Sequence, residues 1–239
     1  MENAKRIASI ISAIPQLETV AELAQLEVMV TNITNSAGFE WFACSVIRPT
    51  SLARPSLTII SNVPEEWRER YSREKLVILD PVVATARTQM HPIFWQQIRA
   101  SDEQMQVMDA AFTIGLKDGV SFPLRGPAGE RGALSFIRDA VGVDDGQKVA
   151  LAAVAPYVMG AMVRCSRQED HNLLSQTEQC CLFWAAAGKT TEEIGVITGI
   201  LPRTVNYHIK QAAVKLGATN RDQAVAYAAL RGFIRPGQF

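Results

Sequence analysis

Three side chains in the first half of the sequence have types and spacing suited to recognition chemistry. Trp67 and Tyr71 stand four apart in "SNVPEEWRERYSREKLVILDP", so on a helix they share one face. Asp80 follows nine residues after Tyr71, between Leu79 and Pro81. An indole N–H donates, a phenol both donates and accepts, and a carboxylate accepts, so the three together suit a small polar ligand. A plainer arrangement fits the same residues: two aromatics packed on a core, and an aspartate capping a helix. The stretch itself looks helical from about residue 64 to 72, with Ser61 or Asn62 as cap and Pro64 in the first turn. On these residues alone, both arrangements stand.

Hydrolytic or metal chemistry finds little support. The three histidines, His91, His171 and His208, are far apart and lack metal spacing. Cys44, Cys165, Cys180 and Cys181 form no CxxC pair, and two adjacent helical cysteines point about 100° apart. They fit small buried hydrophobes in a reducing compartment. A hydrolytic enzyme would need a nucleophile or metal that this pattern does not offer. No catalytic residue, metal or cofactor is expected.

A second constellation lies near the other end. In "GILPRTVNYHIKQAAVKLG", Val205, Ile209, Ala212 and Leu216 recur at helical spacing as a core stripe. Arg203, Tyr207, Lys210 and Val214 fall on the opposite side, with Asn206 and Gln211 flanking. Cations, an amide and a phenol near a helix start suit phosphates and base edges in a major groove. A solvated face of a packing helix is the plainer alternative. His208 falls near the core edge of the wheel, as a packed histidine would. Lys189, before the preceding helix, is placed to meet a phosphate or simply to be solvated.

The elements that hold this helix are legible. Ser175 and Glu178 form a capping box. Gly188 ends that helix, Thr190 or Thr191 caps a short second one, and Gly199 makes the turn into a third that starts at Pro202. A fourth runs from about Asp222 to Leu230. Two short helices around a tight glycine turn are a helix-turn-helix pattern. From Leu173 onward the chain carries seven basic against four acidic residues, a net +3, while the rest carries 17 against 20. A basic module on an acidic body suits nucleic-acid binding, though the imbalance is small.

The first part mixes both element types. Residues 3–37 predict two helices, the first ended by Pro15 and the second by Gly38. "FEWFACSVI" and "SLTIIS" predict strands, and "GVSFPLRGPAGERGALSFI" a hairpin. Helices are expected at 79–88, 102–114 and 144–165. This order predicts an α+β layered domain. The polar stretch "RCSRQEDHNLL" is the joint, giving domains at 1–166 and 175–239 with a linker at 167–174. The longest apolar run, Val149–Val163, is 15 residues, short of the roughly 18 that span a bilayer. With no signal-peptide pattern, a cytoplasmic protein without membrane partners is expected.

Residues 173–234 resemble the DNA-binding domain of LuxR-type transcription regulators. Glu178, Leu182, Gly188, "GKTTEEI", "RTVNYH" and "KLGATN" stand in that family's order. A phosphoacceptor domain in front is not expected, because Asp144–Asp145 come too late and the β/α alternation is missing. Residues 38–138 instead resemble the acyl-homoserine-lactone-binding domain of quorum-sensing members, through Trp67, Tyr71, Asp80, Pro81, Trp95 and Gly119. The resemblance implies an α/β/α sandwich around a five-stranded antiparallel sheet, followed by the all-α four-helix domain. It implies an N-acyl homoserine lactone as signal ligand. Trp67 would donate to the lactone carbonyl, Asp80 would accept from the amide N–H, and Tyr71 would lie beside the acyl carbonyls. Trp95 would pack on the ring, and Ser135 would stand near the acyl carbonyl. Gly119 and Pro81 look architectural. Many members carry a tyrosine where this chain has Val63, whose loss would remove a bond worth about 0.5–1.5 kcal/mol. The resemblance also implies a homodimer, with the apolar helix around 149–163 as one interface, bound to a two-fold-symmetric double-stranded operator. Lys189, Arg203, Thr204, Asn206, Tyr207 and Lys210 are then the DNA-contacting candidates. A related regulator with another small apolar ligand, or with none, is the alternative.

Overall fold

The computed structural model describes residues 2–51, 55–139, 145–166 and 173–239. The chain divides into two compact units, Met1–Ile47 with Leu57–Ser166, and Arg48–Ser56 with Arg167–Phe239. Most of the joint expected at 167–174 lies outside the described residues. Leu174 is buried in the core of the second unit, with Leu173 packed against it, so packing there begins ahead of Ser175.

The larger unit is a sheet between two layers of helices. Its elements are α1 (Glu2–Ser12), α2 (Ile14–Thr19), α3 (Leu23–Ser36), β1 (Trp41–Arg48), β2 (Ser56–Ser61), α4 (Glu65–Arg73), α5 (Pro81–Thr88), β3 (Ile93–Phe94), α6 (Asp102–Phe112), β4 (Asp118–Arg125), β5 (Arg131–Arg138) and α7 (Asp145–Ser166). The strand order is β2-β1-β5-β4-β3, and the β1–β5, β5–β4 and β4–β3 pairings are antiparallel. Successive strand side chains point to opposite faces, and that alternation sorts the two layers. Phe42, Cys44 and Val46 of β1 pack with Val120, Phe122, Leu134 and Phe136 against residues of α1, α3 and α7, including Ile10, Val30, Leu151 and Val158. The other face carries α5, which packs on β4 and β5, and a cluster shared with α4 and α6.

Three local departures from the sequence-based expectations have simple causes. Pro15 does not end the first helix: it sits in the first turn of a separate helix, α2, where its missing N–H costs nothing. Neither Ser61 nor Asn62 caps α4. Asn62 is used by the sheet instead, accepting from the Phe42 N–H at 2.6 Å and donating to the Glu40 carbonyl at 3.1 Å. Strand β3 is only two residues long, too short for any period to announce it. Helix α7, at 22 residues, is long and apolar enough to cross a membrane, but much of it is buried against the sheet and the first helices.

In the smaller unit, α8 (Gln176–Ala186), α9 (Thr191–Thr198), α10 (Pro202–Leu216) and α11 (Arg221–Leu230) enclose one core of Leu182, Ile194, Val205, Ile209, Ala212, Leu216 and their neighbours. Capping boxes open α8 (Ser175 with Glu178) and α9 (Thr190 with Glu193). Gly199 takes φ +73° at the end of α9. Gly195 shows how tight the following turn is, since a Cβ there would stand 2.8 Å from the Ile200 carbonyl oxygen.

Candidate functional site

Helix α4 presents Trp67 and Tyr71 on its inner face, with ring centroids 5.9 Å apart and tilted by 57°. Trp67 is about nine-tenths buried, in a cluster with Val63, Val107, Ala111, Leu116 and Ile137. Tyr71, Trp95, Trp41 and Ala43 pack against the same cluster. The helix turns its outer face, Glu65, Arg68, Glu69, Ser72 and Arg73, to an open surface depression. The spacing of four therefore turns both aromatics toward the sheet, with Trp67 buried and Tyr71 half-buried.

Asp80 does two jobs at once. Its Oδ1 accepts from the Val82 N–H at 2.7 Å and the Val83 N–H at 3.3 Å, capping α5 ahead of Pro81. Its Oδ2 accepts from the Tyr71 hydroxyl at 2.7 Å. The plainer reading of this aspartate as a cap is thus correct, and so is its meeting with Tyr71. Burial pushes the Asp80 carboxyl above its ordinary value, although the Tyr71 hydroxyl and the two backbone N–H groups pull the other way. Burial and the facing Asp80 together push the Tyr71 phenol up, so it stays protonated. At the other end of α5, the Arg125 guanidinium donates to the Ala86 carbonyl at 2.6 Å. Helix α5 is held at both termini, which fixes Asp80 over the sheet. Arg125 carried no signal in the sequence, because an arginine in a hairpin is usually solvated.

Trp95 lies flat over Gly119: a Cβ there would stand 2.9 Å from the indole Cε2 and 2.8 Å from the Phe136 carbonyl oxygen. The indole N–H of Trp95 donates to the Ser121 hydroxyl at 2.9 Å. Ser121 and Ser135 share a hydrogen bond of 2.7 Å across β4 and β5. They lie in register with each other and with Ala43 on β1. Ser121 is a residue that sequence reasoning missed. Its one signal was period: in "DGVSFP" it stands two residues from Gly119 and so shares its face. All six expected ligand residues, Val63, Trp67, Tyr71, Asp80, Trp95 and Ser135, are brought to this one face of the sheet.

The second constellation is a helix surface. Val205, Ile209, Ala212 and Leu216 are buried, while Arg203, Asn206, Tyr207 and Lys210 are exposed. Thr204 is half-buried, as is His208, whose ring meets that of Tyr207 at 5.6 Å. The Thr191 hydroxyl at the start of α9 donates to the Asn206 side-chain oxygen at 3.2 Å, tying the two helices. Lys189 stands apart from α10: its ammonium lies 3.7 Å from Glu193, and its carbonyl accepts from Arg221 at 2.6 Å. Glu178 is buried and accepts at 2.8 Å from Lys215 of α10. Burial raises its pKa, but the bonds from Lys215 and from the Ser175 backbone outweigh this and hold it low. The cysteines do not join either site. Burial pushes the Cys44 thiol up to about 12, and burial with neighbouring charge pushes Cys181 up to about 11.

A buried cluster of aromatics beside a carboxylate on one unit, and a helix-turn-helix with an exposed cationic face on the other, fit a small-molecule-responsive DNA-binding protein. Comparison with known proteins agrees with that reading. Residues 22–162 match the autoinducer binding domain, and residues 172–228 match the bacterial regulatory proteins of the luxR family. The transcriptional activator AhyR of Aeromonas hydrophila is 35% identical over 231 residues, covering 91% of this chain and 89% of that protein. The quorum-sensing-dependent regulator RpaR of Rhodopseudomonas palustris is 30% identical, covering 97% and 96%. The structure of SdiA in complex with octanoyl-rac-glycerol shares the fold, with a TM-score of 0.78 at 22% identity over 94% of this chain and 95% of that one. The chain belongs to the LuxR family of quorum-sensing transcription regulators, which are ligand-responsive DNA-binding proteins and not enzymes.

Proposed function

We propose that the larger unit binds an N-acyl homoserine lactone on the Trp67–Tyr71–Asp80 face. The observation that carries this reading is the pairing of donor and acceptor there. Among the described residues nothing accepts from the indole N–H of Trp67, while Asp80 turns a carboxylate oxygen toward Tyr71, whose ring packs beside that indole. The indole suits a lactone carbonyl, and the carboxylate suits an amide N–H through a charge-assisted bond. Trp95 offers the ring a flat apolar wall, Tyr71 stands beside the acyl carbonyls, and Ser135 offers a hydroxyl. Val63 fills the cluster without adding a polar contact. Each methylene of the acyl tail would add about 0.8 kcal/mol, so pocket volume sets tail length.

The protein acts in the cytoplasm as a homodimer. Along α7, Val149, Ala152, Ala153, Pro156, Tyr157 and Gly160 are exposed at helical spacing, an uncharged face suited to a second copy. Two copies would place two α10 helices about one turn of DNA apart on a two-fold-symmetric site, with Arg203, Asn206 and Tyr207 facing the groove and Lys189, Thr204 and Lys210 near phosphates. Organic extraction of the protein, purified from cells fed a mixture of lactones, followed by mass spectrometry tests the ligand. A retained lactone is expected; extracts without one, from protein that is otherwise folded, would overturn the reading.

The apolar Val63 favours one second reading: an acyl ligand with a different head group. SdiA, which shares this fold, is solved with octanoyl-rac-glycerol, so a glycerol monoester belongs in the same feeding mixture.

A further inference from the structure

We infer that Ser121 is a positioning residue for ligand recognition, one that fixes Ser135 as a hydrogen-bond donor toward the ligand. The inference rests on the lactone-binding reading above. Its basis is the direction of hydrogen bonds in the row Trp95–Ser121–Ser135. The Trp95 indole can only donate, so it fills one lone pair of the Ser121 oxygen at 2.9 Å. Ser121 and Ser135 lie 2.7 Å apart, and one of them donates to the other. If Ser135 donated, Ser121 would accept twice and its own hydrogen would need another acceptor. Ser121 is fully buried, and no such acceptor stands among the described residues. A buried hydroxyl hydrogen left without a partner is costly. Ser121 therefore donates to Ser135, and the chain runs Trp95 to Ser121 to Ser135, each bond polarising the next. The hydrogen of Ser135 is what remains. Ser135 is less completely buried than Ser121, at 7% against 0%, and it stands beside Ala43, its β1 neighbour in register, which packs against the cluster of Trp67 and Trp95.

The consequence is chemical selectivity. A carbonyl oxygen on the acyl portion of the ligand meets a committed donor, and this offsets the missing hydroxyl at Val63. Ser121 touches the ligand only through Ser135.

A double-mutant cycle on the full-length protein tests this, with lactone binding measured by calorimetry for wild type, Ser121→Ala, Ser135→Ala and the double variant. The relay predicts that each single change weakens binding by about tenfold and that the double change weakens it little further. Ser121→Thr, which keeps the hydroxyl on a strand-favouring residue, should restore near wild-type affinity. Independent, multiplying losses in the double variant, or a Thr variant as weak as the Ala variant, would overturn the relay while leaving lactone binding intact. Failure of the wild type to bind any lactone would overturn the reading beneath it, and the relay with it. Thermal melting of the ligand-free variants separates a fold defect, which would weaken Ser121→Thr and Ser121→Ala alike.

Discussion

At the scale of single residues, the proposed recognition turns on Asp80. Its carboxyl is raised above the ordinary value of 3.8, chiefly by burial, against the pull of Tyr71, Val82 and Val83. Between the unfolded and folded values, the folded chain keeps a proton that the unfolded chain has lost. Ligand-free stability should therefore fall as pH rises through that window. A ligand amide donor favours the ionised carboxylate, so lactone affinity should rise over the same window. Asp80→Asn should flatten both dependences, and should weaken binding by about tenfold or more through the lost charge-assisted bond. Melting and calorimetry across pH check this; affinity that is flat with pH in the wild type would contradict it. These residues were partly legible in the sequence. The spacing of four placed Trp67 and Tyr71 together, but nothing in "EKLVILDP" said that Asp80 would both cap α5 and reach Tyr71. That meeting depends on the turn at Leu76–Ile78 and on Lys75 in the left-handed region, at φ 52°. Ser121 was harder, because a serine in a strand is ordinary until its cross-strand partner is known.

At the scale of elements, the site depends on strands and helices that hold the side chains in place. Gly119 is the sharpest case, since Trp95 occupies the space of its missing Cβ. Gly119→Ala should push the indole off β4, breaking its bond to Ser121 and costing about 1–3 kcal/mol of stability. Urea unfolding should show a lower midpoint, and the surviving folded protein should bind lactone more weakly; an unchanged midpoint would contradict the packing described. Helix boundaries were well announced by their chemistry. The capping box of α8, a threonine cap on α9 (Thr190 of the two offered) and the start of α10 at Pro202 are local signals, and all three stand where the sequence put them, while the Glu193 half of the α9 box was not foreseen. The first helices were not so legible, because a proline fits a helix start as well as a helix stop, and only packing decided for α2.

At the scale of the whole molecule, the proposed function rests on two copies as well as two units. The α7 face is small and uncharged, so a charge placed there should be felt by a partner but not by the fold. Tyr157→Asp should shift the protein toward monomer in analytical ultracentrifugation without lowering its melting temperature, and should weaken operator binding; a stable dimer would refute α7 as the interface. Lys210→Ala should weaken binding to different DNA sequences about equally and reduce the salt slope by about one, as expected of a phosphate contact. An unchanged slope in filter binding would mean that Lys210 does not meet a phosphate. The two-unit layout was legible because the helix-turn-helix is compact in sequence. The candidate ligand face was less so, because it joins residues from Val63 to Ser135 that only the fold brings together. The central claim is that this face binds an acyl homoserine lactone, and calorimetric titration of the ligand-free protein with a panel from short to long acyl chains tests it most directly. One site per chain, tightest at a particular chain length and lost in Asp80→Asn, is the predicted result. No binding at any chain length, by protein that melts cooperatively, would contradict it.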